Sequence, residues 1–174
     1  MDDPARLVFV DESGANTKMT RWCGRSPEGQ RLVAPIPHGH YQTSTLIAAI
    51  RLKGPRAPWI FEGAMNGEMF LAWVRQGLAP TLQKHDLVIM DNLATHKIAG
   101  VSQTIEMAGA RLMYLPPYSP DFNPIENMWS KIKQILRSVA PRNQDQLMGA
   151  ARTAFNSIST ADCRGFFLHA HYAI

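Results

Sequence analysis

Apolar residues follow two rhythms along this chain. Leu7 to Val10 (LVFV) and Leu87 to Met90 (LVIM) are short unbroken runs, which predicts two buried strands. Each run is closed by an aspartate, Asp11 and Asp91, at the strand end where open α/β sheets place their ligand sites. Tyr41 to Leu52 predicts a further main strand, and Arg111 to Leu115 another, cut off by Pro116 and Pro117. Between the first and third strands, the turn-forming SPEG predicts a hairpin, with strands near Trp22 to Gly24 and Gln30 to Ala34.

The other rhythm is helical. Met69, Phe70, Trp73, Val74 and Leu78 predict an amphipathic helix over Asn66 to Leu82, and Lys97 to Ala108 a second. Pro124 to Val139 is the clearest: Ile125, Met128, Trp129, Ile132, Ile135, Leu136 and Val139 recur three or four apart. Asp145 to Ser157 and Ala161 to Tyr172 complete the set. Strands alternating with helices predict an α/β protein with one core.

Glu126 falls off the apolar stripe of its helix, on a polar face with Ser130, Lys133 and Arg137. With Asp11 and Asp91 it completes a candidate trio of carboxylates. Such groups repel one another unless something neutralises them, and oxygen-rich clusters suit Mg2+ or Mn2+. Each residue also has a plain structural reading. Asn123, Pro124 and Glu126 could be the N-cap, first residue and N3 glutamate of a capping box, and Asp11 and Asp91 could be turn residues.

At 174 residues and 45% hydrophobic content, the chain suits one well-filled domain. It has no apolar stretch of membrane-spanning length and no signal-peptide layout, so a soluble, cytoplasmic protein with no membrane partner is expected. Cys23 and Cys163 suggest neither a disulfide framework nor a zinc site. Eighteen Lys and Arg against fourteen Asp and Glu favour a polyanionic partner only mildly. Their placement says more: Lys18, Arg21, Arg25 and Arg31 follow Asp11, and Lys131, Lys133 and Arg137 follow Glu126. Two basic groups adjoining an acidic centre favour nucleic acid. Trp22, Trp59, Trp73 and Trp129 read as core aromatics, with base stacking open to Trp22 alone, and the His169/His171 pair as a polar tail.

The segments VDES, DNLATHK and LPPYSPDFNPIENMWSKIK together resemble the catalytic core of DDE transposases, in particular the bacterial insertion-sequence branch of the mariner superfamily. Thirty-four residues separate Asp91 from Glu126, the spacing typical of that branch. The resemblance runs from Leu7 to about Arg137. It implies an RNase H-like fold, a mixed five-stranded sheet flanked by helices, occupying residues 1–174 as a single domain. It also implies Asp11, Asp91 and Glu126 as catalytic ligands of two Mg2+ or Mn2+ ions, cleaving DNA at transposon ends and transferring strands. Asn92 and His96 match positions behind the ligands or against DNA, though a surface histidine is an equal reading of His96. Glu12 is expected on the opposite face of its strand, away from the metal.

The implied partners are double-stranded DNA, as transposon ends and target, and further copies of the chain in an active homo-oligomer. Only six residues precede the first strand, so the family's helix-turn-helix region is missing from this sequence, and a separate DNA-binding partner frame is one way to supply it. A nuclease that cuts without joining strands, and an inactive DNA-binding remnant that regulates a transposase, are the alternative readings.

Overall fold

The computed structural model describes residues 3–116 and 120–174. Pro117, Tyr118 and Ser119, part of the proline block read from the sequence, lie outside the described residues. Five strands form one sheet: β1 (Leu7–Asn16), β2 (Thr43–Arg51), β3 (Gly54–Glu62), β4 (Leu87–Met90) and β5 (Arg111–Tyr114). Their order is β3-β2-β1-β4-β5, with β1 in the centre. The β1–β2 and β2–β3 pairs are antiparallel, while β1–β4 and β4–β5 are parallel. The expected mixed five-stranded sheet is therefore present.

Alternation along β1 supplies both halves of the core. Leu7 and Phe9 face helices α3 (Pro124–Val139), α4 (Gln144–Asn156) and α5 (Thr160–His169), whose Met128, Trp129, Ile132, Ala154 and Phe167 complete that layer. Val8 and Val10 face the other way. They meet Phe70 and Trp73 of α1 (Gly67–Trp73) and Val101 and Ile105 of α2 (Val101–Met107). A strand covered on both faces must be apolar at every position, which is why LVFV and LVIM carry no alternation.

The helix over Asn66 to Leu82 is capped by Asn66, whose side chain accepts from the Met69 N–H at 2.9 Å. It loosens into a π turn (Val74–Leu78) and a 3-10 turn (Ala79–Thr81), ending where Leu82 becomes extended. Over Lys97 to Ala108 the helix is shorter than expected. Gly100 at φ 96 separates a 3-10 turn (Ala94–Lys97) from α2. Pro124 to Val139 is helical throughout, closed by Ala140 in the left-handed region.

Two expectations fail. Strand β3 was not anticipated, because Pro55 and Pro58 break its pattern; both are tolerated because β3 is an edge strand, irregular where Ala57 takes φ 49. The expected strands at Trp22 to Gly24 and Gln30 to Ala34 are absent: among the described residues no strand lies between Asn16 and Thr43. SPEG does turn, with the Gln30 N–H donating to the Pro27 carbonyl at 3.1 Å. No partner strand flanks it, and Val33 and Ile36 stand exposed. Local turn chemistry alone does not make a ladder.

Candidate active site

Val10 of β1 pairs in parallel register with Met90 of β4. The next residues are Asp11 and Asp91, so the sheet sets the two backbones about 4.8 Å apart, one strand spacing. Continuing the alternation of Leu7 and Phe9 turns Asp11 towards α3. There the Trp129 indole Nε1 donates to Asp11 Oδ2 at 3.1 Å. Glu126 lies one helical turn before Trp129, exposed, on the wall of a cavity of about 690 Å³ shared with Asp121, Asn127, Leu168, His169 and His171.

The Asp11 carboxyl is pushed up to about 7. Burial is the main cause, followed by the negative charge of Glu126, with Glu12 and Asp91 adding to it against one backbone hydrogen bond. All four carboxylates thus share one electrostatic field. Among the described residues, however, no three metal-ligating side chains yet stand close enough to hold one ion.

Asp91 is held differently. His96 Nδ1 lies 2.6 Å from Asp91 Oδ1, which also accepts from the Leu93 N–H at 3.2 Å. Burial works to raise the Asp91 pKa, but the hydrogen bond and charge of His96 outweigh it and hold it below the usual carboxylate range. His96 is fully buried, stacked on Phe70 with ring centroids 4.3 Å apart. Its Nε2 lies 3.0 Å from Glu12 Oε2. Burial opposes its charge, yet the hydrogen bonds it donates to Asp91 and Glu12 push it up to about 10. With a carboxylate on each ring nitrogen, both nitrogens donate and the ring is an imidazolium.

Four readings of the sequence meet the structure here. His96 is not a surface histidine. Glu12 does point away from Asp11, as strand alternation demands, but it belongs to the site through His96. Trp129 is a core aromatic that also carries a polar contact; the signal was its indole N–H, which needs a partner when buried one turn from Glu126. The capping-box reading of Glu126 does not form. Asn123 caps α3 through the Ile125 N–H at 3.4 Å, and the Glu126 carboxylate has no hydrogen-bond partner among the described residues. Asn92 is exposed beside Asp91.

Of the basic candidates, Lys18, Lys133 and Arg137 come together at the end of β1. Lys131 does not join them, because it pairs with Asp162 at 2.6 Å. Arg21, Arg25 and Arg31 are exposed on the segment between β1 and β2. Trp73 and Trp129 are buried and Trp59 is half-buried, but Trp22 is 87% exposed, against its reading as a core residue. No helix among the described residues is long and apolar enough to cross a membrane.

Comparison with known proteins fits this arrangement. Residues 6–148 match the model of the DDE superfamily endonuclease family. The transposable element Tcb1 transposase of Caenorhabditis briggsae is 27% identical over 170 residues, covering 88% of this chain and 60% of that protein. Among solved structures, the pre-cleavage Mos1 transpososome superposes with a TM-score of 0.75 at 13% identity, over 97% of this chain and 52% of the Mos1 chain. The catalytic domain of Mos1 mariner transposase gives 0.66 at 15% identity, over 97% of this chain and 76% of that one. A Mos1 paired-end complex with Mn gives 0.74 at 15%, over 98% and 53%. The chain thus spans little more than half the length of the full transposases it matches, and its fold is the RNase H-like fold of the Mos1 catalytic domain. With the family model covering most of its length, the chain belongs to the DDE superfamily endonucleases.

Proposed function

We propose that this chain is the catalytic domain of a transposase of the bacterial insertion-sequence kind, which cleaves DNA at transposon ends and transfers the freed strands to target DNA. The observation that carries this reading is Asp11: a half-buried carboxyl, bonded to the Trp129 indole and pressed by the charges of Glu126, Glu12 and Asp91, is a site short of positive charge. Asp11, Asp91 and Glu126 are the proposed ligands. An all-oxygen, anionic donor set suits Mg2+ or Mn2+ rather than a softer ion. Bound divalent ions supply activation of the attacking oxygen and stabilisation of the leaving oxygen in displacement at phosphorus. Mos1 has been solved with Mn and as transposon-end complexes, which supports both the ions and the DNA partner proposed here.

The protein's own residues divide the remaining work. Trp129 fixes one oxygen of Asp11, and His96 fixes one oxygen of Asp91. Glu126, exposed and without a hydrogen-bond partner among the described residues, is the side chain proposed to close the set. Asn92 contacts DNA beside Asp91, and Lys18, Arg21, Arg25, Arg31, Lys133 and Arg137 meet its phosphates. The active form is a homo-oligomer acting in the cytoplasm on nucleoid DNA, with end recognition supplied by a helix-turn-helix region of the same or a partner chain.

Glu126→Gln tests the central assignment. Its carboxylate is exposed and has no hydrogen-bond partner among the described residues, so the variant should keep its fold, with thermal stability within about 0.5 kcal/mol of wild type. Mg2+-dependent cleavage of transposon-end DNA should disappear. Cleavage retained by a well-folded Glu126→Gln protein would sink the reading.

A further inference from the structure

The seam between β1 and α3 carries more than Asp11 and Trp129. Beyond them it opens into a groove of about 320 Å³, lined by Gly14, Ala15 and Asn16 of β1, Lys18, Met19 and Trp22 of the following segment, and Lys133 and Arg137 of α3. We infer that this groove holds a single-stranded stretch of DNA leading away from the carboxylates, with Lys18, Lys133 and Arg137 on its phosphates and Trp22 stacked on an unpaired base. The inference rests on the DNA reading above and adds to it a specific site and strand state.

Three observations point this way. The groove is basic with nothing to neutralise it: Lys18, Lys133 and Arg137 pair with no carboxylate among the described residues, unlike Lys131 on the same helix. Lys18 only rests over the Tyr41 ring, 4.7 Å from its centroid. The groove also lies in line with the site. Lys133 and Arg137 follow Trp129 by one and two helical steps of four, about 6 and 12 Å further along the axis.

The last observation is Trp22. An indole 87% exposed at the rim of a cationic groove has a free π face and no core to fill. A duplex keeps its base faces stacked on one another, so only an unpaired base can cover that indole. The rim is held in place. Thr17 and Gln42 tie the ends of the segment together, the Thr17 N–H donating to the Gln42 carbonyl at 3.1 Å and the Gln42 N–H to the Thr17 hydroxyl at 3.1 Å. Arg142, after α3, donates to the Met19 carbonyl at 3.0 Å. At the floor, Gly14 has no atom within 4 Å of where a Cβ would sit, so the groove is open there.

Fluorescence anisotropy without metal tests the inference on the full chain, using a single-stranded oligonucleotide and the same sequence as a blunt duplex. Wild type should prefer the single strand, and Trp22→Ala should weaken single-strand binding about tenfold while leaving duplex binding unchanged. Lys133→Ala and Arg137→Ala should weaken both and flatten the salt dependence. Equal binding of both probes by wild type, or a Trp22→Ala loss that is nil or the same for both, would overturn it. Trp22 is exposed, so unchanged melting of the variant separates misfolding from lost contact. Mg2+-dependent cleavage is scored separately. Cleavage with no role for Trp22 in binding overturns this groove alone, whereas Trp22-dependent binding without cleavage supports the groove and counts against the catalytic reading.

Discussion

Asp11 on β1 and Asp91, the residue just after β4, each follow the paired residues Val10 and Met90, yet their surroundings push them in opposite directions. Asp11 is half-buried beside other carboxylates, with the Trp129 indole and one backbone N–H as its donors, and is pushed up to about 7. Asp91, half-exposed, receives a charged donor from His96 and a backbone N–H from Leu93, and is held below the usual range. One aspartate awaits a cation from outside, and the other already has one from the protein. On the proposed reading, a site built in this way holds one ligand pre-ionised while leaving an unmet charge for a divalent ion to satisfy.

The largest expected effect breaks the pair at either end. Asp11→Asn and Asp91→Asn should each abolish Mg2+-dependent cleavage, since each removes a proposed charged ligand. Their effects on stability should have opposite signs. In the metal-free protein Asp11 keeps its proton up to about pH 7, whereas in the unfolded chain it loses it near pH 3.9. Stability therefore falls as pH rises through that window, by up to about 4 kcal/mol. Asp11→Asn removes the penalty and should raise the melting temperature at pH 8. Asp91, with its pKa depressed, adds stability above the unfolded value that is lost as pH falls through the folded one, so Asp91→Asn should lower the melting temperature at pH 8. Mg2+ should then stabilise wild type and not Asp11→Asn. Melting curves that shift in the same direction for both variants would show that the contrast between the two aspartates is not real.

Removing the internal cation comes next. His96→Ala strands Glu12 and Asp91 without their shared donor; because both carboxylates keep some contact with water, the cost should fall below the roughly 3 to 5 kcal/mol of breaking a fully buried pair. Urea unfolding should report a loss below that range. Cleavage should also fall, because Asp91 is no longer fixed. A His96→Ala protein as stable as wild type would mean that the two carboxylates find water instead.

Legibility in the sequence followed the strength of local pattern. The unbroken runs LVFV and LVIM and the stripe of α3 sit where burial on both faces, or on one, leaves a single solution, and they placed Asp91 just after its strand and Glu126 on its helix, whereas Asp11, expected to end its strand, lies midway along β1, which continues to Asn16. What remained hidden depends on contacts across the fold. β3 forms because β2 offers an edge, a fact absent from a sequence that shows Pro55 and Pro58. Trp22 to Ala34 shows the converse: turn residues and apolar positions without a partner strand. Glu12 joins the site through a histidine eighty-four residues away, and no periodicity encodes that separation.

The smallest expected effect sharpens the comparison without breaking it. Glu12→Gln keeps an oxygen that can accept from His96 Nε2 but removes one of the two negative charges holding the imidazolium. His96, with its folded pKa raised to about 10 above the unfolded 6.5, contributes stability that is complete below pH 6.5 and lost as pH rises through about 10. In Glu12→Gln that loss should begin at lower pH, while Nδ1 still clamps Asp91 and cleavage at neutral pH drops severalfold at most. On the other side of the pair, Asp11 loses one of the charges that raise it, so its acid-side window should narrow slightly. Thermal melts of the metal-free protein from pH 5 to 10 read both edges at once. Both should move towards lower pH in the variant, the alkaline edge more than the acid one, and an alkaline edge that stays where wild type has it would remove Glu12 from the site.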